Sequence, residues 1–157
     1  MILSQELVRN LFDYKDGVLY WRVSPSAGVK TGQKAGYTPK NKYAQVGIKG
    51  KLFYAHRIIY LYHHGVLPQE IDHIDLDRTN NKIENLRAAT HANNLCNVRI
   101  KTNNTTGVKG VFLDKRRNTW YARVGKTYIG CFTELNAAEE AVKAAREKIH
   151  KEFTRHD

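Results

Sequence analysis

Apolar positions along the chain come in short runs with two different spacings. In "SQELVRNLF" Leu7, Val8 and Leu11 fall on one side of a helix that Ser4 can cap. "GVLYWRV" and "KYAQVGIKGKLFYA" are rich in aromatic and β-branched residues and are broken by Gly at turn positions, which predicts strands. "HRIIYLYHHG" returns to helical spacing, with Gly65 as its stop and Pro68 just beyond. Residues 71–88 predict two strands flanking the polar loop "DLDRTNNK", and Thr90 is a good N-cap for a short helix over about 91–98. Strand, loop, strand and helix in that order make a compact ββα unit.

The pattern then lapses. "RIKTNNTTG" has basic and small polar residues without apolar periodicity, so a linker is expected at 98–106. Beyond it "GVKGVFL", "TWYARV" and "KTYIGCF" predict three strands joined by "DKRRN" and by Gly125. "NAAEEAVKAAREKIHKEF" carries Ala138, Ala141, Val142, Ala145 and Ile149 at helical spacing, a narrow stripe suited to close packing on a sheet. The expected fold class is α+β: an N-terminal mixed region over residues 1–97 leading into a ββα finger at about 70–98, then a separate three-stranded antiparallel sheet packed on one helix over 107–157.

Charge changes the picture from fold to partner. The 157 residues carry 26 Lys and Arg against 15 Asp and Glu, a net charge of +11. The excess is dispersed, with 13 basic and 8 acidic groups in residues 1–97 and 13 and 7 in residues 98–157. Dispersed cations suit a phosphate backbone, whose binding is rewarded by counterion release. Cys96 and Cys131 are far apart and lack any Cys-x-x-Cys partner, so neither a structural zinc site, a disulfide scaffold nor a cysteine nucleophile is expected. "MILSQELVRN" is not a secretory leader and "IIYLY" is too short to span a bilayer, which predicts a cytoplasmic protein without membrane contact.

Candidate chemistry concentrates in one stretch, "IDHIDLDRTNNKIENLRAATHANNLCN". Asp72 and His73 are adjacent on an extended segment, so their side chains leave on opposite faces and serve different jobs. Asn94 lies about one turn into the helix that Thr90 caps. One carboxylate and one amide oxygen can hold a hard divalent ion such as Mg²⁺, leaving the other positions to water and phosphate. A neutral imidazole beside that ion can take a proton from water as the water attacks phosphorus. The chemistry is phosphodiester hydrolysis. Asp75 and Asp77 serve the turn or an outer shell of the ion, and Asn80 and Asn81 are explained as loop formers. His56, His63 and His64 border or sit on the apolar helix and read as structural. Arg57 and Arg87 are expected either to clamp phosphate or to be solvated.

The same residues resemble a family, the HNH endonucleases of the His-metal finger group, above all the homing and free-standing nucleases of phages. The Asp-His pair, the "NN" of the loop, the "ENLR" strand, the Thr and the helical Asn residues carry the likeness, and "LFDYKDGVLYWRVSP", "AGY" and "HRIIYLYHHGVLP" extend it upstream. The resemblance implies His73 as general base, Asp72 and Asn94 as ligands of a divalent metal, and Asn85 as the residue that braces the loop. Asn93 and Asn97 are neighbours that compete with Asn94 for its role. Mg²⁺ is the implied ion, with Mn²⁺ as an alternative, and double-stranded DNA the implied substrate, cut by a monomer or a dimer.

Residues 104–153 resemble a second family, the Apetala/ethylene-response-factor DNA-binding domain, through "TTGVKGVF", "TWYARV", "YIGCF" and the Ala-rich helix. Members lay their sheet in the major groove. Strand alternation turns Trp120, Ala122 and Val124 toward the helix and Tyr121 and Arg123 outward. Lys126 and Tyr128 are expected on one face of the next strand, with Lys109, Lys115, Arg116 and Arg117 near the strand ends. Arg reads guanine edges, whereas Lys and Tyr hold phosphate. The plant domains are denser in Arg across the sheet, so specificity here is expected to be looser or set by DNA shape. Two other readings stand beside the nuclease: a DNA-binding regulator with an inactive HNH fold, and an RNA-binding protein.

Overall fold

The computed structural model describes residues 2–40, 42–91, 94, 100, 102–154 and 156, with the Glu152 side chain outside that description. The chain divides into two compact units, residues 1–90 and 91–157.

In the first unit Ser4 accepts the Leu7 N–H at 3.2 Å and starts α1, Gln5–Leu11. The chain turns directly into β1, Phe12–Lys15, which pairs antiparallel with β2, Val18–Trp21. The connecting Asp16 and Gly17 have φ of 47° and 84°, the two positive values of the tight turn that matches strand twist. A second hairpin repeats the device: β3, Gln45–Ile48, and β4, Lys51–Tyr54, meet at Lys49 and Gly50. Helix α2, Ala55–His64, follows without a break and ends at Gly65 with φ 73°. Its last turn is covered by α1, since Gln5 Nε2 and Arg9 Nε each donate to the Tyr62 carbonyl at 3.0 Å. Both groups satisfy an acceptor that the helix end would otherwise leave bare.

Val8, Phe12, Leu19, Val46, Ile58 and Ile59 are almost wholly buried and form one cluster with Ile71 and Leu86. Each such side chain contributes roughly 1.5–3 kcal/mol by leaving water. Ile71 and Leu86 belong to the antiparallel pair β5, Glu70–His73, and β6, Leu86–Ala89, so the same core that holds the helices seats this pair. Its register sets Asp72 opposite Arg87 and His73 opposite Leu86. The loop between the two strands is gripped from the other side by the first hairpin. Tyr14 Oη accepts the Ile83 N–H at 3.0 Å. Gly17 comes so close that a Cβ there would stand 2.8 Å from the Lys82 nitrogen.

In the second unit β7, Val111–Asp114, β8, Thr119–Val124, and β9, Thr127–Phe132, form an antiparallel sheet in that order, followed by α3, Leu135–His150. Val111, Ala122, Val124, Ala138 and Val142 make its core. Before β7, Asn104 Oδ1 accepts from the Thr106 and Gly107 N–H groups at 3.0 and 2.7 Å, which ties residues 104–107 into a bonded turn.

The observed α+β arrangement matches the expectation from the sequence. Three details differ. Strand β1 lies where the sequence reading ran the first helix on to Phe12. Ile149 is 48 % exposed while Arg146, 4 % exposed, completes the buried stripe of α3 and donates to the Lys109 carbonyl. Arg146 takes the place at the end of the stripe that the spacing assigns to Ile149. Lys126 sits in the β8–β9 turn beside Gly125 and not on a strand. His91 and Asn94 are helical, and the remainder of the helix expected over 91–98, with Asn93 and Asn97, lies outside the described residues. Among the described residues no helix is long and apolar enough to cross a membrane.

Candidate active site

Strand β5 brings its last two residues to opposite surroundings. Asp72 is 7 % exposed, and Arg87 across the ladder donates to its Oδ2 from Nε at 2.9 Å and from Nη2 at 2.7 Å. The sequence offered Arg87 as a phosphate clamp; the register spends its guanidinium on the carboxylate opposite. Arg57 is likewise engaged within the fold, donating to the Gln69 and Pro68 carbonyls, both at 3.2 Å, and so fastening the segment that leads into β5.

His73 is 4 % exposed and turns into a pocket of rings. Its Nε2 lies 2.9 Å from Asn81 Oδ1. An amide oxygen only accepts, so Nε2 is the donor in this bond. Asn81 is itself 5 % exposed. The sequence reading treated it as a loop former, and the structure corrects this: its side chain accepts from the imidazole. Its location between two turn-forming neighbours gave no signal of that inward orientation.

His56, read from sequence as structural, stands edge-on to His73 at 5.2 Å between ring centroids, and Tyr43 lies 4.9 Å from His56 and 5.7 Å from His73. Burial foremost, then the neighbouring His73 and Arg57, push the His56 pKa down to about 3. It is a neutral ring at physiological pH, and its Nδ1 finds no hydrogen-bond partner among the described residues. The exposed Arg78, from the loop, lies over the Tyr43 ring at 5.1 Å from its centroid. Neither Tyr43 nor Arg78 was singled out in the sequence, where nothing marks a tyrosine thirty residues upstream as a wall of the pocket.

The loop itself is built on Asn85, which ends a short 3-10 turn just before β6. Its Oδ1 accepts the Asp75 N–H at 3.0 Å, and its Nδ2 donates to Asp75 Oδ1 at 2.9 Å and to the Asn80 carbonyl at 2.8 Å. Asp75 also accepts from Asn80 Nδ2 at 2.7 Å and from the Asp77 N–H at 2.8 Å. Burial pushes the Asp75 carboxyl upward, but these bonds from Asn80, Asp77 and Asn85 outweigh it and hold its pKa below the usual range. Asp75 and Asp77 thus serve the turn. Asp77 caps it through Thr79, whose N–H and hydroxyl both donate to Oδ1, at 2.8 and 2.7 Å.

Among the described residues no group of three or more His, Cys, Asp or Glu side chains converges to hold a metal. At β5 the described residues offer one buried carboxylate, Asp72, whose Oδ2 is held by the Arg87 guanidinium. A hard carboxylate donor of this kind suits a divalent cation that keeps most of its waters. Asn94 is helical and half-buried and belongs to the second unit.

The second unit offers a separate surface. Tyr121 and Arg123 point outward from β8, as strand alternation predicts, and Ala122 and Val124 point inward. Lys115, Arg116 and Arg117 are exposed in the β7–β8 turn, where Asp114 Oδ1 accepts the Arg116 N–H at 3.0 Å. Lys109 is half-buried before β7, and Tyr128 is 56 % exposed on β9.

Residues 53–96, from the end of β4 through β5 and β6, match the HNH endonuclease family. Protein 3.8 of Escherichia phage T7 is 32 % identical over 88 residues, a stretch that covers 54 % of this chain and 73 % of that protein. No solved structure matches.

Proposed function

Because the chain belongs to the family of phage T7 Protein 3.8 and carries an HNH endonuclease domain over residues 53–96, we propose that it is a metal-dependent endonuclease that hydrolyses phosphodiester bonds in duplex DNA. The observation that carries this reading is the Asn81–His73 bond. A base must be held in a fixed direction, and the bond to Asn81 fixes the His73 ring.

His73 accepts the proton of the attacking water at Nδ1, becoming an imidazolium whose Nε2–H stays on Asn81. The neighbouring His56 remains neutral over the working pH range, so it adds no positive charge that would oppose this protonation. Asp72, ion-paired with Arg87, is the carboxylate that would hold a divalent ion. When bound, such an ion neutralises charge developing on the departing oxygen. Asn85 keeps the loop, and through it Asn81, in place. The homing-like character and the Apetala/ethylene-response-factor-like role of residues 107–157 complete the proposal: the basic sheet, with Arg123, Lys126, Lys115, Arg116 and Arg117, supplies affinity for DNA.

The test is supercoiled plasmid incubated with wild type and with His73→Ala, in Mg²⁺, in Mn²⁺ and in chelator. Metal-dependent open-circle or linear product from wild type, lost in the variant, is the expected result. Equal cutting by both proteins would remove His73 from the mechanism. Binding of duplex DNA without cutting under either metal, on plasmids that include phage DNA, would favour the regulator reading.

A further inference from the structure

The charge of residues 107–157 is segregated. Residues 107–133, which hold the sheet, have six basic groups and one acidic group, whereas residues 134–157, which hold the helix, have five and six. A polyanion is therefore drawn to the sheet and not to the helix. At the middle of that sheet stand rings where a charged face needs none. Phe112 is 44 % exposed, Tyr121 40 % and Tyr128 56 %.

The register explains how they form one patch. Phe112 pairs with Tyr121 across β7 and β8, and Arg123 pairs with Tyr128 across β8 and β9. The diagonals close the square: the Tyr121 and Tyr128 rings stack at 5.1 Å, and the Arg123 guanidinium lies 5.2 Å from the centroid of Phe112. Three aromatic side chains and a planar cation thus share one outward surface. Tyrosine and phenylalanine gain little from a duplex, whose bases are already stacked on each other. An unpaired base has an open π face, and stacking on a ring removes that face and the ring's own from water.

We propose that the outward face of β7, β8 and β9 is a stacking platform for unpaired nucleobases of a single-stranded nucleic acid. Tyr121 and Tyr128 carry the bases, Arg123 and Phe112 extend the platform by one position, and Lys126 with the basic β7–β8 turn accompanies the phosphates. The inference rests on the reading that the chain acts on nucleic acid, but not on its cutting. A nuclease so equipped would favour duplex substrates that carry a single-stranded stretch.

Binding is measured by fluorescence anisotropy on the full chain carrying His73→Ala, in chelator, so that cleavage plays no part. The probes are an oligo-dT and an oligo-rU of about 12 nucleotides, a length within usual site sizes, and a duplex with the same number of phosphates. If charge alone governed binding, the denser duplex would bind best. The expected result is tighter binding of a single strand than of the duplex, and the tighter of oligo-dT and oligo-rU names the source of the bases. Replacing both tyrosines by Ala should weaken single-strand binding roughly tenfold or more, since each stacked base is worth a factor of about five or above. The double Tyr→Phe variant should retain it. The double Tyr→Leu variant keeps apolar bulk on the sheet while removing the π faces, so it should bind as weakly as the Ala pair without risk to the fold. Duplex binding equal to or tighter than both single strands, or a Leu pair that binds single strands like wild type, would overturn the proposal.

Discussion

Acidification should strip stability from the first unit through His56, and His56→Phe should prevent it. The folded ring stays neutral down to about pH 3, whereas an unfolded chain titrates with the ordinary imidazole value near 6.5. Between those values the unfolded state binds the extra proton, so stability rises with pH across the window and falls as pH is lowered through it. At pH 7 the unfolded chain gains about 0.2 kcal/mol from this proton, and at pH 5 about 2 kcal/mol. The figure at pH 5 depends on the unfolded pKa, because the folded ring is still unprotonated there. Among the described residues, the groups that face His56 are His73, Arg57, Tyr43 and Tyr54, with no carboxylate to reward a charge. Phenylalanine preserves the ring contacts and loses no hydrogen bond at the unpartnered Nδ1, so at pH 7 the variant should lie within about 1.5 kcal/mol of wild type. Urea unfolding of both proteins at pH 7 and pH 5 reads the difference. His56→Phe should gain about 2 kcal/mol relative to wild type on going to pH 5. Parallel losses in the two proteins would refute the argument, since they would mean that His56 is protonated in the folded state.

Arg87→Ala would leave the buried Asp72 carboxylate without its cation and should cost about 3–5 kcal/mol in urea unfolding, with part of the loss restored by adding Asp72→Ala; a loss below about 1 kcal/mol would show the pair to be solvated. Asn81→Ala strips the acceptor from a buried His73 Nε2–H, so about 1–3 kcal/mol of stability should go with a large fall in plasmid cleavage while DNA affinity, read by anisotropy, holds. Gly110→Ala forces a Cβ onto the Arg123 carbonyl at φ 80°; amide exchange should accelerate across β7 to β9 and stay unchanged in the core around Val8 and Ile58.

Much of this architecture was legible because period and punctuation agreed. The α2 helix announces itself by its apolar spacing and Gly65, and the two faces of β8 follow from alternation alone. What escaped the sequence depends on partners distant along the chain. The Asp72–Arg87 pair exists because the β5–β6 register happens to oppose them, and periodicity does not fix a register. Asn81 reads the same whether its amide meets water or an imidazole. Tyr43 lies outside any regular element, and it reaches His73 only because the β3–β4 hairpin and α2 fold over the same core. Strand β1 was hidden by α1, which runs into it with no intervening loop, although Asp16-Gly17 marked the turn that needed a strand on both sides.

The contact of Gly17 with the loop bears on how far this strand-loop-strand element can be shortened or transplanted. A designer tracing the motif would excise the strand pair with its loop, residues 70–90, and expect a portable blade. Yet the backbone at Lys82 is shaped against a turn made more than sixty residues earlier, and the Ile83 N–H is held by Tyr14 from the same hairpin. The portable piece therefore begins at the first hairpin, and any graft that omits it parts the imidazole from the scaffold that aims it.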